Sequence, residues 1–471
     1  MDDLAAVSGP NPLVAVVGGG ASATLMVAHL LRHDGPVPHV VVIDRRGLHG
    51  RGQAYSTEDP SHLLNARAAN MSGLHDDPGH LLAWVREGGI EACGDDFLPR
   101  SLYGRYLRDL LDTSAQRRPA GQVSELTGTA LSLTADPAGA GWRLHLADGT
   151  CLAADAVVLA TGNQAPAALP WTLPASGYIA DPWAPGALDT IDDDAPVLIV
   201  GTGLTMVDLA MSLTRCHPDR TVYAVSRHGM LPRPHRLPRP PAAPIVLPAE
   251  RMNLRELLRW ARQTVRANGG EWHGVVDAVR PHVQDLWADL SEPDRRRFLN
   301  RIARYWEVHR HRIPPVTAAR IDELRATGRL RVLRGRIDGV QSADDCRFSV
   351  RVHHDDEVLG IRVGWLINGT GPAAAPATDP FLHGLTTAGI ARPGPLGLGL
   401  DAEADGAVRD AAGHPHQRLF TLGPTLRGLH YETTAIPEIR AQAAALARRL
   451  AAIPGRRTAD QKPRPFSTRI S

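Results

Sequence analysis

Five unbroken apolar residues, Leu13 to Val17, run into three glycines and then into a stretch from Ala21 to Leu31 patterned as an amphipathic helix. A short apolar run bounded by glycine predicts a buried strand of a parallel sheet. The opening therefore reads as strand, tight turn and helix, and a second apolar run, His39 to Ile43, ends on Asp44. The pattern then repeats. Val197 to Val200 predicts a strand, Gly201-Thr202-Gly203 a turn, Leu204 to Leu213 a helix, and Thr221 to Val225 the next strand. Two more apolar runs, AVVLATG (156–162) and VGWLINGT (363–370), each finish in Thr and Gly, as strands returning to the carboxyl edge of a parallel sheet would. Residues 142–146 with a turn at Asp148-Gly149, and the stretches 329–340 and 347–352, read as pieces of two small antiparallel sheets. Helical spacing marks 98–111, where Arg100 stands at the start, and an insertion over 254–324. There Leu254, Leu257, Leu258 and Ala261 make one stripe and Val275, Val279 and Val283 another, and an alanine-rich helix over 435–450 closes the chain.

Alternating strands and helices around two glycine turns predict an α/β protein with two Rossmann-like dinucleotide-binding domains and a helical insertion. The first domain is expected to be discontinuous, from 1–165 and 365–455. The second occupies 166–364, includes the insertion at 250–325, and is entered through a Pro-, Ala- and Trp-rich connection. Residues 456–471 are expected to be a mobile tail.

The turns carry the chemistry. Gly18, Gly20 and Ala23 occupy the G-x-G-x-x-G/A positions: the first glycine permits the turn, the second lets a pyrophosphate approach the backbone, and the small third residue lets helix pack on strand. Asp44 is placed to accept hydrogen bonds from an adenosine ribose, beside Arg45. In the repeat, Met206 replaces the third small residue, which should loosen the fit of helix on strand, and the next strand ends in Ser226-Arg227. A hydroxyl and a guanidinium there suit a ribose 2′-phosphate, so the second site favours NADP over NAD. Two stretches stay open between readings. The long loop 47–84 is either a surface loop or a cofactor wrap bringing Asn65, Arg67, Asn70, Met71 and Ser72 to a flavin. The run His309-Arg310-His311-Arg312 before a double proline is either an anion-binding patch or a solvated helix end.

Composition narrows the classes. With 43% hydrophobic and 22% charged residues and a net charge of +2, bulk charge argues for neither nucleic acid nor a membrane surface. The one lysine, Lys462, lies in the tail, which excludes a lysine Schiff base or P-loop lysine in the body of the protein. Cys93, Cys151, Cys216 and Cys346 form no C-x-x-C pair and are expected to be buried apolar thiols. The first ten residues lack a signal-peptide pattern and no apolar run reaches spanning length, so a cytoplasmic location is expected.

Taken together, GGGASA (18–23), GRGQAYSTEDPSHLLNARAANMS (50–72), PRSLYGRYL (99–107), LATGN (159–163), VGTGLTMVD (200–208), HRHRIPP (309–315) and LGPTLRGLHYETTAIPEIRAQA (422–443) resemble the FAD-NAD(P)-binding protein family, relatives of the class B flavin-dependent, N-hydroxylating monooxygenases. The resemblance implies FAD on the Gly18 turn, with Arg100, Thr161, Gly162, Gly423, Thr433 and Thr434 around it, and NADPH on Gly201 and Gly203. It further implies that Asn65 stands at the reactive carbon of the flavin, with Met71 near the ring. The activity implied is oxygenation of an amine of a small metabolite by dioxygen through a flavin hydroperoxide. His309, Arg310, Arg312 and His430 are the expected substrate contacts, and the basic run suits an anionic molecule. A Baeyer–Villiger fingerprint is missing before the second glycine turn. An NADPH-dependent reductase serving a partner and a non-catalytic flavin-binding protein are the rival readings. Oligomeric state is not legible.

Overall fold

The computed structural model describes residues 11–454 except 138, 140, 172, 174, 175, 249, 344–347 and 356. Cys346, Lys462 and the tail from Gly455 lie outside the described residues. The chain opens with β1 (Leu13–Val17), α1 (Ala21–Leu31) and β2 (His39–Asp44). A long loop with only two single 3₁₀ turns, Gln53–Tyr55 and Ala68–Asn70, leads to α2 (His80–Glu87), α3 (Arg100–Ala115) and β3 (Val123–Thr127). β4 (Ala130–Ala135), β5 (Trp142–Leu146) and β6 (Cys151–Ala154) form a small antiparallel sheet, and β7 (Ala156–Leu159) pairs in parallel with β1. Each of the five residues of β1 is buried, which is why its run of apolar side chains is unbroken.

The second domain begins with β8 (Tyr178–Ile179), β9 (Val197–Val200), α4 (Leu204–Cys216) and β10 (Val222–Ser226). The insertion follows as α5 (Leu254–Ala267), α6 (Trp272–Val279), α7 (Val283–Asp289), α8 (Glu292–Arg297), α9 (Ala303–Arg310) and α10 (Pro315–Ala326). Then come β11 (Leu330–Arg334), the antiparallel β12 (Arg336–Gln341), β13 (Phe348–His354) and β14 (Glu357–Val363), and β15 (Trp365–Asn368). The parallel sheet has the order β11-β10-β9-β15-β8. The stretch 329–340 is thus two strands in two sheets, with Gly335 at the corner between them. Because β15 pairs with β9 and β8, the return to the first domain falls after Asn368 and not at 365.

The chain then re-enters the first domain through α11 (Pro380–Thr387), β16 (Ala407–Arg409), β17 (Pro415–Thr421) and α12 (Ile436–Ala451), completing a sheet of order β16-β17-β7-β1-β2-β3. α1 is not amphipathic: Ser22 to Ala28, Leu30 and Leu31 are all buried, because the sheet, α3 and α12 cover it from different sides. The insertion has its own core of Leu254, Val275, Val279, Val283, Trp287 and Ala303, and Tyr431 from the loop before α12 belongs to that core. Tyr431 thus helps fasten the insertion to the first domain, together with the Trp287 hydrogen bond to Gly428 O and the Arg280 pair with Glu438 of α12.

Three cysteines correct the expectation made for them, since Cys93, Cys151 and Cys216 are exposed free thiols. Met206 does not loosen its helix; it is fully buried in the core of the second domain. Among the described residues no helix is long and apolar enough to cross a membrane.

Candidate functional site

The first glycine turn is built by close approach. Gly18 has φ +110°, and a Cβ there would stand 2.2 Å from the Ala160 carbonyl oxygen at the end of β7, so only glycine fits. Gly20 caps α1 with no side-chain hydrogen bond and no acidic residue in the first turn, leaving the leading N–H groups of the helix to a ligand. Ala23 is buried against the sheet. Asp44 organises its own loop: Oδ2 accepts from Gly19 N–H at 3.0 Å and Oδ1 from Arg46 and Leu48 N–H at 2.9 and 3.1 Å. Its carboxylate stays half-exposed, while Arg45 is exposed.

Thr161 Oγ1 is buried beside this turn with no hydrogen-bond partner, a polar atom awaiting an acceptor or donor. Gly423, at φ +74°, brings the loop after β17 onto the first turn of α1, where a Cβ would lie 2.6 Å from Ser22 Oγ. The structure thus gathers Gly18, Gly20, Ala23, Asp44, Thr161, Gly162 and Gly423 around one cleft. It also adds Gly50 and Gly52, which sequence reasoning did not single out: Gly50 N–H donates to Gly19 O at 2.9 Å, and Gly52 lies over Gly20. The sequence GRG after an acidic strand end was the available signal.

Asn65 is half-buried, and among the described residues its side chain makes no hydrogen bond, whereas its carbonyl accepts from His235 Nε2 at 2.9 Å. Met71 is buried in the first core. The Arg67 guanidinium donates to Asp95 and to the Arg236 carbonyl and lies over the Phe97 ring. Thr433 is fully buried and donates to Gly423 O at 2.9 Å, so it shapes the loop. Thr434 is exposed and lines a recess with Gly162, Asn163, Gly399, Pro424 and Arg427. His430 is half-buried, and burial lowers its pKa.

The second turn repeats the first. Gly201 has φ +124°, and a Cβ would sit 2.3 Å from Gly369 O, the counterpart of Ala160 O. Around Gly203 there is open space, and α4 starts with no side-chain cap and no acidic residue. Ser226 does not reach outward, because its hydroxyl pairs with Thr202 Oγ1 at 2.8 Å and accepts from Gly229 N–H at 3.0 Å. Arg227 is exposed, with no carboxylate paired to it among the described residues. It is joined by His228, Arg304 of α9 and Arg334 of β11: burial and then these three arginines push the imidazole down from its usual value. Arg304 Nε is buried without a partner. No spacing in the sequence links Arg304 to Arg227, since the fold alone brings the insertion over this edge.

Arg100 and the HRHR run are both engaged by partners within the protein. Arg100 forms a two-pronged ion pair with Asp208 of α4, at 2.8 and 3.1 Å, and donates to Leu63 O at 3.0 Å. It clamps the domains together, beside His62, whose Nε2 stands 2.9 Å from Ser212 Oγ of the same helix. The HRHR run is neither a free anion patch nor a solvated helix end. Arg310 pairs with Glu432 at 3.2 Å, Arg312 with Asp277, and His309 Nδ1 donates to Tyr305 O at 2.7 Å. Burial would raise the Glu432 carboxyl, but Arg310, His311 and the Trp306 hydrogen bond outweigh it and hold it below the usual range. Each of these arginines thus has a carboxylate of the protein beside it, while Arg310 Nε and Nη2 and Arg312 Nε are buried without a hydrogen-bond partner.

Residues 15–164 match the family model described as FAD-NAD(P)-binding. That segment is similar to FAD-NAD(P)-binding domains. It contains the Gly18 turn, Asp44, Asn65 and Thr161, the cleft described above. The uncharacterised protein YdhS of Escherichia coli is 28% identical over 222 residues, 43% of this chain and 40% of that protein, so the chain matches less than half of that relative's length. Among solved structures, L-lysine 6-monooxygenase from Pseudomonas syringae aligns over 93% of this chain and 99% of its own, with a TM-score of 0.64 and 12% identity. Ornithine hydroxylase from Pseudomonas aeruginosa aligns over 94% and 99%, with a TM-score of 0.63 and 14% identity. Bacillithiol disulfide reductase from Bacillus cereus aligns over 93% and 98%, with a TM-score of 0.53 and 14% identity. At these identities the likeness is one of fold alone.

Proposed function

We propose that the protein is an FAD- and NADPH-dependent monooxygenase that oxygenates an amine nitrogen of a small molecule. The observation that carries the reading is the paired construction of the two turns. Each has a first glycine pressed on a strand-end carbonyl, an uncapped helix start, and unsatisfied polar groups beside it: Thr161 Oγ1 at one and Arg227 with Arg304 at the other. Both sets fit the groups implied. The leading N–H groups of α1 and α4 would hold the pyrophosphates, Asp44 the adenosine ribose of FAD, and Arg227 and Arg304 the 2′-phosphate of NADPH.

Bound FAD supplies hydride acceptance from NADPH and activation of dioxygen, chemistry that resides in the cofactor. The chain's part is to orient it. Asn65 presents a carboxamide that makes no hydrogen bond among the described residues and would be free to meet the flavin. The carboxylates beside Arg310 and Arg312 weaken the case for an anionic substrate there. The likeness to ornithine and lysine monooxygenases supports an amine as the acceptor, and the lack of a C-x-x-C pair weighs against a disulfide reductase.

The test is oxygen uptake and NADPH consumption by the flavin-loaded protein against a panel of primary amines, with mass spectrometry of the products. A product heavier by one oxygen supports the proposal. Flavin reduction without any oxygenated amine supports a reductase, and no reduction at all a scaffold.

A further inference from the structure

The segment that carries Asn65 is held from the second domain at several closely spaced residues. His62 Nε2 meets Ser212 and the Asp208 carbonyl of α4, Leu63 O accepts from Arg100 in its pair with Asp208, and Arg67 donates to Arg236 O. At Asn65 itself the contact is with His235, whose Nε2 lies 2.9 Å from the Asn65 carbonyl. A carbonyl only accepts, so Nε2 carries the proton and the imidazole is the Nε2–H tautomer. His235 is in turn fixed by main-chain hydrogen bonds to the end of the HRHR run: His235 N–H to Ile313 O at 2.9 Å and Ile313 N–H to Arg233 O at 3.0 Å. The Phe97 ring packs 4.8 Å from the imidazole. The charged groups facing it from the packed elements are Arg312, Arg67 and Asp277, and burial with the two arginines keeps the ring neutral, its pKa pushed down to about 4.

We infer that His235 is a positioning residue that fixes Asn65 through its backbone carbonyl and ties the flavin-facing loop to the HRHR end of the insertion. The basic run then acts by holding a tautomer-defined donor in place, through Ile313 for the backbone and Arg312 for the charge state. The consequence for catalysis rests on the proposed reading, in which Asn65 faces the flavin; the mechanical claim does not.

Two substitutions in the full-length protein test both. In His235→Ala the donor is lost, whereas the Nε2 of Gln in His235→Gln reaches the same place. Hydrogen exchange across residues 63–70 is expected to quicken about fivefold in the Ala variant and to return to the wild-type rate in Gln, as loss and recovery of one neutral hydrogen bond would give. Unchanged exchange in Ala, or equal acceleration in both variants, overturns the positioning role whatever the protein binds. In flavin-loaded protein, the Ala variant should release hydrogen peroxide several-fold faster in air with NADPH, while its anaerobic reduction rate stays within about twofold of wild type. If exchange responds as expected and peroxide release does not, the link to catalysis is overturned. If the wild type takes up no flavin, it is the functional proposal that fails, and the exchange result still decides the mechanical claim.

Discussion

Replacing Arg227 by alanine tests the second cleft most sharply, because the side chain is exposed and pairs with no carboxylate among the described residues, so its removal leaves the fold intact. A charge-assisted contact to a phosphate contributes about 1.5–3 kcal/mol, and exposure with salt screening places Arg227 at the lower end. About 1.4 kcal/mol is tenfold in affinity, so Arg227→Ala should weaken NADPH roughly tenfold and leave NADH within about twofold. Arg304→Ala should cost NADPH more, since its Nε is buried without a partner and is screened less. The assay is anaerobic flavin reduction at varied NADPH and NADH, repeated at low and high salt. Preference for NADPH should shrink with salt in the wild type and be nearly salt-independent in the double variant. Equal weakening of both nucleotides by either substitution would remove that arginine from the 2′-phosphate and refute the reasoning.

Further outcomes concern the fold and its charges. Arg100→Met leaves Asp208 buried without its partner, so thermal unfolding should register a loss of about 3–5 kcal/mol with flavin content per folded molecule unchanged; a loss below about 0.5 kcal/mol would mean that the clamp is idle. Gly201→Ala drives a Cβ into Gly369 O and forces φ +124° on a side chain, so it should abolish nucleotide-dependent reduction while the first domain keeps its flavin. His29, His235 and His311 are each pushed down to about 4, in each case chiefly by burial. Below about pH 6.5 the unfolded chain therefore takes up protons that the native state refuses, and stability falls by about 1.4 kcal/mol per pH unit for each histidine until pH nears 4. Denaturant titration at stepped pH measures the slope, and a flat profile between pH 6 and 5 would contradict neutral burial.

The two parallel sheets were legible because buried strands require apolar runs and tight turns require glycine: Leu13 to Val17 with Gly18, and Val197 to Val200 with Gly201, are local facts of the chain. Sheet membership was less so. Residues 329–340 look like one stretch, yet β11 and β12 part at Gly335, and nothing in alternation says which neighbour a strand will choose. Charged residues were read worst. The HRHR run appears as an unbroken cationic patch because its partners, Asp277 and Glu432, lie on other elements. Arg100 stands at the start of a helix but answers to Asp208, more than a hundred residues away. Long-range pairing depends on which helix the fold lays against which loop, and no periodicity carries that information. The same reason hid Arg304 and His235, both brought to their clefts by the insertion.

The central claim is that two dinucleotide clefts, one for FAD and one for NADPH, work on each other within this chain. The most direct test is the visible spectrum of the purified, FAD-reconstituted protein during an anaerobic titration with NADPH. The account predicts an oxidised flavin spectrum that bleaches stoichiometrically with NADPH and returns on admission of air. A protein that stays colourless after incubation with FAD, or whose bound flavin is untouched by NADPH, would contradict it.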